Sequence, residues 1–224
     1  MFLYYITDRR QLSSHEEERS RLLLERISAA AGAGIDAIQL REKDLSAREL
    51  VDLGTRAVEI VNRVSSLRAS GLRSSLLINS RVDVAIACGA QGVHLRSDDI
   101  SAADARVIFG QAGVSSPVIG VSCHTLQEIS LAEGHGATFA VNGPVFGKDE
   151  EGAPTGITSL EQACRSRRAA HPPMPVLALG GITISNASDC LKVGAGGLAG
   201  IRLFQNGNLT ETVARLRGLA DTHS

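Results

Sequence analysis

Short apolar runs alternate with longer amphipathic segments along almost the whole chain. Eight of these runs are brief and nearly continuous in hydrophobicity: residues 2–6, 37–40, 76–78, 92–95, 118–121, 139–141, 176–179 and 198–201. Parallel strands that are covered on both faces have this pattern, and strands that alternate with helices indicate βαβ units. Eight repeats of the unit predict an α/β fold, a closed (β/α)8 TIM barrel that residues 1–224 form as a single domain.

Helix starts between the strands carry capping signals. In a capping box, a hydroxyl and a carboxylate three residues later bind free backbone N–H groups reciprocally. Three boxes are predicted: Ser46 with Glu49, Thr125 with Glu128, and Thr158 with Glu161. Further helix starts are predicted at residues 13–17 and within 183–193, and a short helix is predicted at 81–88.

The composition narrows the functional classes. With 23 basic and 24 acidic residues the net charge is −1, aromatic residues make up 3% of the chain, and tryptophan is absent. Nucleic acid binding is therefore not expected, since it needs a basic field or an aromatic platform. No apolar stretch reaches the roughly 20 residues of a membrane helix, and the N-terminus begins a strand without signal-peptide features. We expect a soluble cytoplasmic protein with no membrane partner.

The cysteines lie far apart and form no CxxC pair: Cys88, Cys123, Cys164 and Cys190. Each has apolar neighbours, so neither a disulfide nor a cysteine metal site is expected. Cys123 follows the fifth strand, where a nucleophilic thiol is the alternative interpretation. A small buried hydrophobic residue is the favoured one.

Candidate chemistry is concentrated at the C-terminal ends of the predicted strands, where a barrel of this kind has its concave face. Gln39, Arg41 and Lys43 alternate at the end of the second strand, so they project together toward the barrel mouth. Two adjacent cations favour an anion between them. The alternative is a surface pair of cations neutralised by Glu42 and Asp44. The position at a strand end favours a polyanion site.

Polar residues after the third and fourth strands indicate a metal site. The third strand ends in Asn79 and Ser80, and the fourth leads to Asp98 and Asp99. Carboxylates beside cations suit a diphosphate that brings Mg²⁺, because this ion uses one or two protein carboxylates together with phosphate oxygens and water. Alternatively, Asp98 or Asp99 begins the following helix, where the helix dipole stabilises an acidic residue.

The fifth and sixth strands lead to further candidate residues. Ser122 and His124 follow the fifth strand, and a long glycine-containing loop, residues 142–154, follows the sixth. A loop of this length in a compact barrel is typical of a functional lid. His124 stands directly before the Thr125 cap. Its imidazole has two alternative roles, a structural hydrogen bond or proton transfer.

Glycines follow the last two strands: Gly180 and Gly181 after the seventh, and Gly200 near the end of the eighth. They let backbone N–H groups approach a phosphate closely, helix N-termini add positive potential, and Arg202 supplies a guanidinium. The mouth therefore has two predicted anion sites. Together they predict a reaction that joins a diphosphate substrate to a phosphate-bearing partner, with diphosphate as the leaving group.

Several short segments occur in a characteristic order: residues 5–8 (YITD), 39–43 (QLREK), 79–83 (NSRVD), 92–95 (GVHL), 120–122 (GVS), 143–146 (GPVF) and 179–182 (LGGI). In this order they resemble the thiamine phosphate synthase family, also called thiamine-phosphate pyrophosphorylase, nearly from end to end. Its members couple hydroxymethylpyrimidine diphosphate to hydroxyethylthiazole phosphate and release diphosphate with Mg²⁺ present. The resemblance thus implies a transferase with Mg²⁺ as cofactor and small phosphorylated substrates as partners.

The resemblance also implies roles for individual residues. The pyrimidine diphosphate would be held by Gln39, Arg41, Lys43, Asn79 and Ser122, with Lys148 as the lid lysine. The thiazole phosphate would be bound, mainly by backbone, at Gly181, Ile201 and Arg202. The metal ligand would be Asp99, assisted by Ser80 or Asp98. Members are thought to pass through a pyrimidine carbocation, so the catalytic residues, Arg41, Lys43, Ser122 and Lys148, would stabilise the leaving group and shield the cation.

Two positions depart from the family pattern. An aspartate usually follows the asparagine as a second metal ligand, whereas this chain has Ser80, a weaker ligand for Mg²⁺. The threonine-containing run before the lid lysine is missing, and Asp149, Glu150 and Glu151 follow the lysine instead. Acidic residues there would repel a diphosphate unless they point to solvent.

These departures keep two alternatives open. The related thiazole tautomerases share the barrel and the thiazole phosphate site, lack the second aspartate, and transfer protons with a histidine that His124 matches. A non-catalytic regulator that binds thiamine precursors is the other alternative. Retention of Lys43 and Asp99 favours the synthase, and a sugar-phosphate epimerase would leave Gln39 and Arg41 unexplained. The sequence does not fix the oligomeric state and is compatible with a homo-oligomer.

Overall fold

Eight parallel strands close into a barrel in the computed structural model of the protein, which describes residues 1–67, 73–147, 154–166 and 173–221. The strands are β1 (Phe2–Ile6), β2 (Ala37–Leu40), β3 (Ser75–Asn79), β4 (Gly92–Leu95), β5 (Val118–Cys123), β6 (Phe139–Asn142), β7 (Val176–Ala178) and β8 (Gly197–Gly200). Each strand pairs with the next, and β8 pairs back with β1. The predicted TIM barrel is confirmed, and each predicted strand boundary lies within two residues of the observed one.

Helices cover the outside of the barrel. Within the described residues they are α1 (Glu16–Ala33), α2 (Ala47–Ser66), α3 (Val82–Cys88), α4 (Ala102–Gln111), α5 (Leu126–Gly134), α6 (Gly156–Arg165), α7 (Ala187–Lys192), α8 (Arg202–Gln205) and α9 (Leu209–Asp221). The short helix predicted at residues 81–88 is confirmed as α3. In the part of the chain that the structure describes, no helix has the length and apolar character needed to cross a membrane.

Local capping chemistry starts two helices as predicted. Ser46 with Glu49 caps α2, and Thr125 with Glu128 caps α5, each with both hydrogen bonds of the box present. Because these bonds form within four consecutive residues, sequence spacing alone is enough to find them.

The start of α6 is set by contacts with the loop after β6. The capping box predicted at Thr158 is wrong, because α6 begins at Gly156 and Thr158 lies inside the helix. The backbone N–H of Thr155 donates to the Pro144 carbonyl at 2.7 Å, and that of Gly156 donates to the Val145 carbonyl at 3.2 Å. These contacts anchor the chain before Thr158 is reached, so tertiary structure overrides the local signal.

The core has two layers. One buried cluster fills the barrel: Tyr4, Ile6, Ala37, Leu77, Phe139, Val141, Leu177 and Ala199. The opposite faces of the strands pack against the helices in a second cluster that includes Leu3, Ile38 and Phe109. Since the interior is filled with side chains, the binding surface of such a barrel is built by the loops that follow the strands.

The seam between β8 and β1 closes the barrel and leaves no room for a side chain at Gly197. This residue pairs with Phe2, and a Cβ built on it would lie 2.0 Å from the Phe2 carbonyl oxygen. We predict that Gly197→Ala lowers the free energy of unfolding by at least about 3 kcal/mol, because the backbone must move to remove the overlap.

Chemical denaturation measures this effect, with Gly110→Ala as the matched control. Gly110 is an exposed residue of α4, and a Cβ added there meets no described atom within 4 Å. The control should raise the free energy of unfolding by up to about 1 kcal/mol through helix propensity. Equal stability of the two variants would contradict the tight seam.

Candidate active site

A cavity of about 1150 Å³ opens at the C-terminal end of the barrel strands. Residues singled out from the sequence line it from both sides: Gln39, Arg41, Lys43, Asn79, Ser80, Asp98, Ser122, His124, Gly181, Ile201 and Arg202. The cations that follow β2 and the glycines that follow β7 therefore face one space. A condensation requires this arrangement, because two bound substrates must come into contact.

The end of β2 carries a cationic wall. Gln39 lies in β2, and Arg41 and Lys43 follow at alternate positions, so the three side chains reach the cavity as the alternation predicts. The Gln39 amide is held in place: its nitrogen donates to Asn79 Oδ1 at 2.8 Å, and its oxygen accepts from the Tyr4 hydroxyl at 3.2 Å. This chain of hydrogen bonds joins the first three strands across the mouth.

The two acidic residues of the same segment, Glu42 and Asp44, contact Thr7 and Arg9. Glu42 is buried and accepts hydrogen bonds from the Thr7 hydroxyl and the Arg9 backbone N–H. Asp44 pairs with the Arg9 guanidinium at 2.9 Å. Burial raises the pKa of Glu42 to about 7. Among the described residues that line the cavity, neither Glu42 nor Asp44 is found.

A buried histidine lines the cavity although the sequence did not single it out. His94 packs beside Tyr4 and Phe139, with ring centroids 5.5 and 6.2 Å away. Burial lowers the pKa of His94 to about 3 and the Arg41 cation adds to the effect, so the imidazole is neutral at physiological pH. Nε2 lies 2.9 Å from Ser122 Oγ, and no partner for Nδ1 is found among the described residues. The sequence signal that could have identified His94 is a histidine between two apolar residues of a predicted strand, Val93 and Leu95.

The predicted metal ligands are placed differently from one another. Asp98 lines the cavity, with its carboxylate 3.1 Å from the Arg96 guanidinium. Asp99 is absent from the lining within the described residues, and its carboxylate accepts from the Arg96 backbone N–H at 2.7 Å. Ser80 lines the cavity with a φ of 60°. No cluster of three or more metal-binding side chains occurs in the described part of the chain, so a cation here would need oxygen atoms from a bound ligand.

Two glycines after β7 form a backbone wall. Gly180 and Gly181 have φ values of 94° and 65°, and a Cβ on Gly181 would lie 1.8 Å from the Phe146 carbonyl oxygen. The carbonyl groups of this turn accept hydrogen bonds at 2.7 to 3.0 Å: Leu179 from Val145, Gly180 from Phe146, and Gly181 from Asn186. In a trans peptide the C=O and N–H groups point in opposite directions. The N–H groups of residues 180–182 therefore point away from the donors Val145, Phe146 and Asn186.

The backbone wall continues after β8. Gly200, Ile201 and Arg202 line the cavity, and α8 begins at Arg202. The first N–H groups of a helix have no intrahelical partners, so this turn can bind an oxyanion. The guanidinium of Arg26 fixes the other end of α8 by donating to three carbonyl groups: those of Phe204, Asn206 and Gly207.

His124 reaches the cavity with a defined tautomer. Its Nδ1 lies 2.9 Å from the Gly143 carbonyl oxygen. Because a carbonyl only accepts, Nδ1 carries the proton and Nε2 of the neutral ring keeps a lone pair. The neighbouring Cys123 is fully buried, and burial raises the pKa of its thiol to about 12, so it is no nucleophile at neutral pH.

The loop after β6 lies against the backbone wall where it begins. Phe146 and Gly147 line the cavity. The predicted lid lysine, Lys148, and the acidic residues Asp149, Glu150 and Glu151 lie outside the described residues, so their placement stays a prediction.

Known proteins share this sequence and fold. The family profile of thiamine monophosphate synthase matches residues 3–204. The thiamine-phosphate synthase of Roseiflexus castenholzii is 39% identical over 200 residues, which cover 88% of this chain and 78% of that protein. The thiamine-phosphate synthase of Moorella thermoacetica is 34% identical over 209 residues, which cover 88% of this chain and 91% of that protein. A solved thiamine phosphate pyrophosphorylase from Pyrococcus furiosus superposes with a TM-score of 0.77 at 28% identity, covering 99% and 96% of the two chains. The chain belongs to the thiamine monophosphate synthase family.

Proposed function

We propose that this protein is a thiamine phosphate synthase, a transferase that joins hydroxymethylpyrimidine diphosphate to hydroxyethylthiazole phosphate and releases diphosphate. The observation that carries the proposal is that Arg41 and Lys43 line the same cavity as Gly181 and Arg202. Membership of the family supplies the reaction, and the cavity supplies an anion-binding wall for each substrate. A sugar-phosphate enzyme would bind its substrate's phosphate at the backbone wall and would leave Arg41 and Lys43 without a role.

The cationic wall binds the diphosphate. Arg41 and Lys43 provide two positive charges, and the planar guanidinium suits bidentate contact with phosphate oxygens. Gln39, Asn79 and Ser122 border the same region and offer uncharged hydrogen-bonding groups to the pyrimidine. Lys148, which lies outside the described residues, is the predicted third cation. These residues hold the leaving group on one side of the cavity.

The backbone wall binds the thiazole phosphate. N–H groups at Gly181 and at the start of α8, at Ile201 and Arg202, are donors whose positive partial charge suits an oxyanion. Arg202 is exposed at the cavity and adds its guanidinium to the same phosphate. A substrate anchored here by its phosphate extends its ring toward the cationic wall.

The reaction replaces a carbon–oxygen bond with a carbon–nitrogen bond. The bond between the pyrimidine methylene carbon and the diphosphate oxygen breaks, and its electron pair leaves with the diphosphate. The lone pair of the thiazole nitrogen then forms the new bond to that carbon. Arg41 and Lys43 stabilise the negative charge that develops on the leaving group. The neutral imidazole of His94 adds no positive charge beside the electron-deficient carbon, and apolar lining residues such as Leu179 limit water.

Mg²⁺ fits the available donors when diphosphate is bound with it. Asp98 and Asp99 offer carboxylates and Ser80 a hydroxyl, which meets the need for one or two protein carboxylates but forms no complete protein cage. One Asp99 oxygen accepts from the Arg96 backbone N–H and the other lies 3.5 Å from Arg96 Nε, and each oxygen has a second lone pair for a metal. Asp99 is the assigned ligand, assisted by Asp98 or Ser80. When bound, the ion neutralises charge on the diphosphate.

Removal of one cation tests the cationic wall. Lys43→Ala is expected to lower kcat/KM for the pyrimidine diphosphate at least about 100-fold, because charge stabilisation of the leaving group is lost. The assay supplies both phosphorylated substrates with Mg²⁺ and measures thiamine phosphate and released diphosphate. Lys192→Ala is the matched control, because Lys192 is exposed on α7 and pairs with Asp189. Normal synthesis by Lys43→Ala would refute its role.

A second prediction concerns Gly181 in the backbone wall. Gly181→Ala is expected to raise KM for the thiazole phosphate at least about tenfold, because the added Cβ overlaps the Phe146 carbonyl and the turn must shift. Gly207→Ala is the matched control, since Gly207 also has a positive φ, 62°, but a Cβ there meets no described atom within 4 Å. Initial rates and thermal unfolding are measured for both variants. Equal KM values in two folded variants would mean that this wall does not bind the substrate.

A third prediction concerns the metal. Ser80→Asp is expected to lower the Mg²⁺ concentration for half-maximal rate about tenfold, because a carboxylate replaces a hydroxyl. Aspartate also tolerates the left-handed backbone of this position, where φ is 60°. Asp99→Ala should raise the same concentration. Magnesium titrations of the initial rate measure both changes, and an unaltered response in both variants would place the metal elsewhere.

One observation supports a second candidate, an isomerase of the thiazole tautomerase type: His124 lines the cavity with Nδ1 bonded to the Gly143 carbonyl oxygen, which leaves Nε2 as the ring nitrogen for proton transfer. Such an enzyme would interconvert thiazole phosphate tautomers without forming thiamine phosphate, and His124→Ala would stop it. A non-catalytic regulator would bind both precursors without turnover. The synthesis assay, combined with a tautomerisation assay and direct binding, separates the three.

A further inference from the structure

The segment that presents Arg41 and Lys43 has no regular secondary structure, because β2 ends at Leu40 and α2 begins at Ala47. Outside a ladder or helix, a chain keeps conformational freedom unless other contacts remove it. In this segment, several such contacts come from two residues that follow β1, Thr7 and Arg9.

Thr7 extends the pairing of β1 with β2 by one step. Its backbone N–H donates to the Gln39 carbonyl at 3.0 Å. In a parallel ladder, the next bond would run from the Arg41 N–H to the Thr7 carbonyl. Here the Arg41 N–H donates to the Thr7 side-chain oxygen instead, at 3.0 Å. A hydroxyl thus replaces the backbone acceptor at the point where the ladder ends.

The same hydroxyl binds Glu42. Because an N–H group only donates, Thr7 Oγ1 accepts from Arg41 and directs its own proton to Glu42 Oε1. The other oxygen of Glu42 accepts from the Arg9 backbone N–H at 2.9 Å. Thr7 and Glu42 are only 0% and 5% exposed, so water cannot readily replace a lost bond.

Arg9 holds the segment on the far side of Lys43. Its buried guanidinium pairs with Asp44 at 2.9 Å, and its Nε lies 4.0 Å from Glu42. The chain is therefore tied at residues 41, 42 and 44, while the Lys43 side chain faces the cavity. Within the described cavity lining, Thr7, Arg9 and Glu42 are absent, so they contact the cationic segment from behind.

We propose that Thr7 and Glu42 are positioning residues, which fix the backbone of Arg41 and Lys43 so that both cations are directed into the cavity before substrate binds. This inference rests on the proposed function, which assigns the diphosphate to that wall. Charges that are already in place lose little freedom on binding and stabilise the leaving group without reorganisation. A role in fold stability alone is the alternative that an experiment must separate.

Thr7→Val is the primary test, because valine has a similar size and lacks the hydroxyl, whereas Thr7→Ser keeps it. Thr55→Val is the matched control, since Thr55 is exposed on α2 and its hydroxyl bonds to the Val51 carbonyl. Each variant is titrated calorimetrically with inorganic diphosphate and Mg²⁺. The kcat, the KM for each substrate and the melting temperature are measured alongside.

The expected result is selective. Thr7→Val should weaken diphosphate binding and raise KM for the pyrimidine diphosphate roughly tenfold, with KM for the thiazole phosphate unchanged. Thr7→Ser should restore both values to within about threefold of the wild type. Thr55→Val should match the wild type. A residue that only stabilised the fold would not separate the two substrates.

Glu42→Gln is the independent variant. Its amide has an NH2 donor in place of one carboxylate oxygen, so it cannot accept from Thr7 and Arg9 through two separate oxygens as Glu42 does, and the same selective loss is expected. The inference is overturned if Thr7→Val binds diphosphate like the wild type, if both variants weaken the two substrates equally, or if neither variant folds. A wild-type protein that neither binds diphosphate nor forms thiamine phosphate would instead refute the proposed function itself.

Discussion

Closure of the barrel between β8 and β1 is the constraint on which the site depends. The pairing of Phe2 with Gly197 fixes β1 between β8 and β2. Residues after β1 then contact both walls of the cavity: Thr7 bonds to the segment after β2, and the backbone of Asp8 bonds to Gln205 of α8. Because parallel strands place all their C-terminal ends at one mouth, closure brings chain segments about 160 residues apart into one cavity.

The two walls offer an anion different kinds of positive charge. Side-chain cations carry full charges on flexible stems, so their contribution depends on how well the supporting backbone is fixed. Backbone N–H groups carry partial charges whose directions the turn already sets. His94 lines the same cavity and stays neutral because it is buried. A charged imidazole there would repel Arg41, and it would oppose the developing carbocation of the proposed reaction.

Features that depend on near neighbours could be predicted from the sequence. The strands, the alternation of Gln39 with the two cations, and the capping box at Ser46 all follow from spacing within a few residues. The start of α6 could not be predicted, since contacts 11 residues away at Pro144 decide it. The burial of Glu42 also escaped prediction, because its partner Thr7 lies 35 residues earlier and a carboxylate between two cations suggests a surface. Only the fold brings these pairs together.

Ser80 has no negative charge, unlike the aspartate of the family pattern, but it keeps the hydrogen bond to Asn79. Asn79 accepts from the Gln39 amide at 2.8 Å and donates to Ser80 Oγ at 3.1 Å. A serine oxygen accepts this bond as an aspartate oxygen would, so the hydrogen-bond chain across the mouth survives the change. In the proposed Mg²⁺ site, a hydroxyl in place of a carboxylate would weaken metal binding, but it would also remove a negative charge that repels the diphosphate. Under the proposed function, Arg41 and Lys43 therefore neutralise a larger share of the leaving group, which makes their fixed placement more important in this chain than beside a second aspartate.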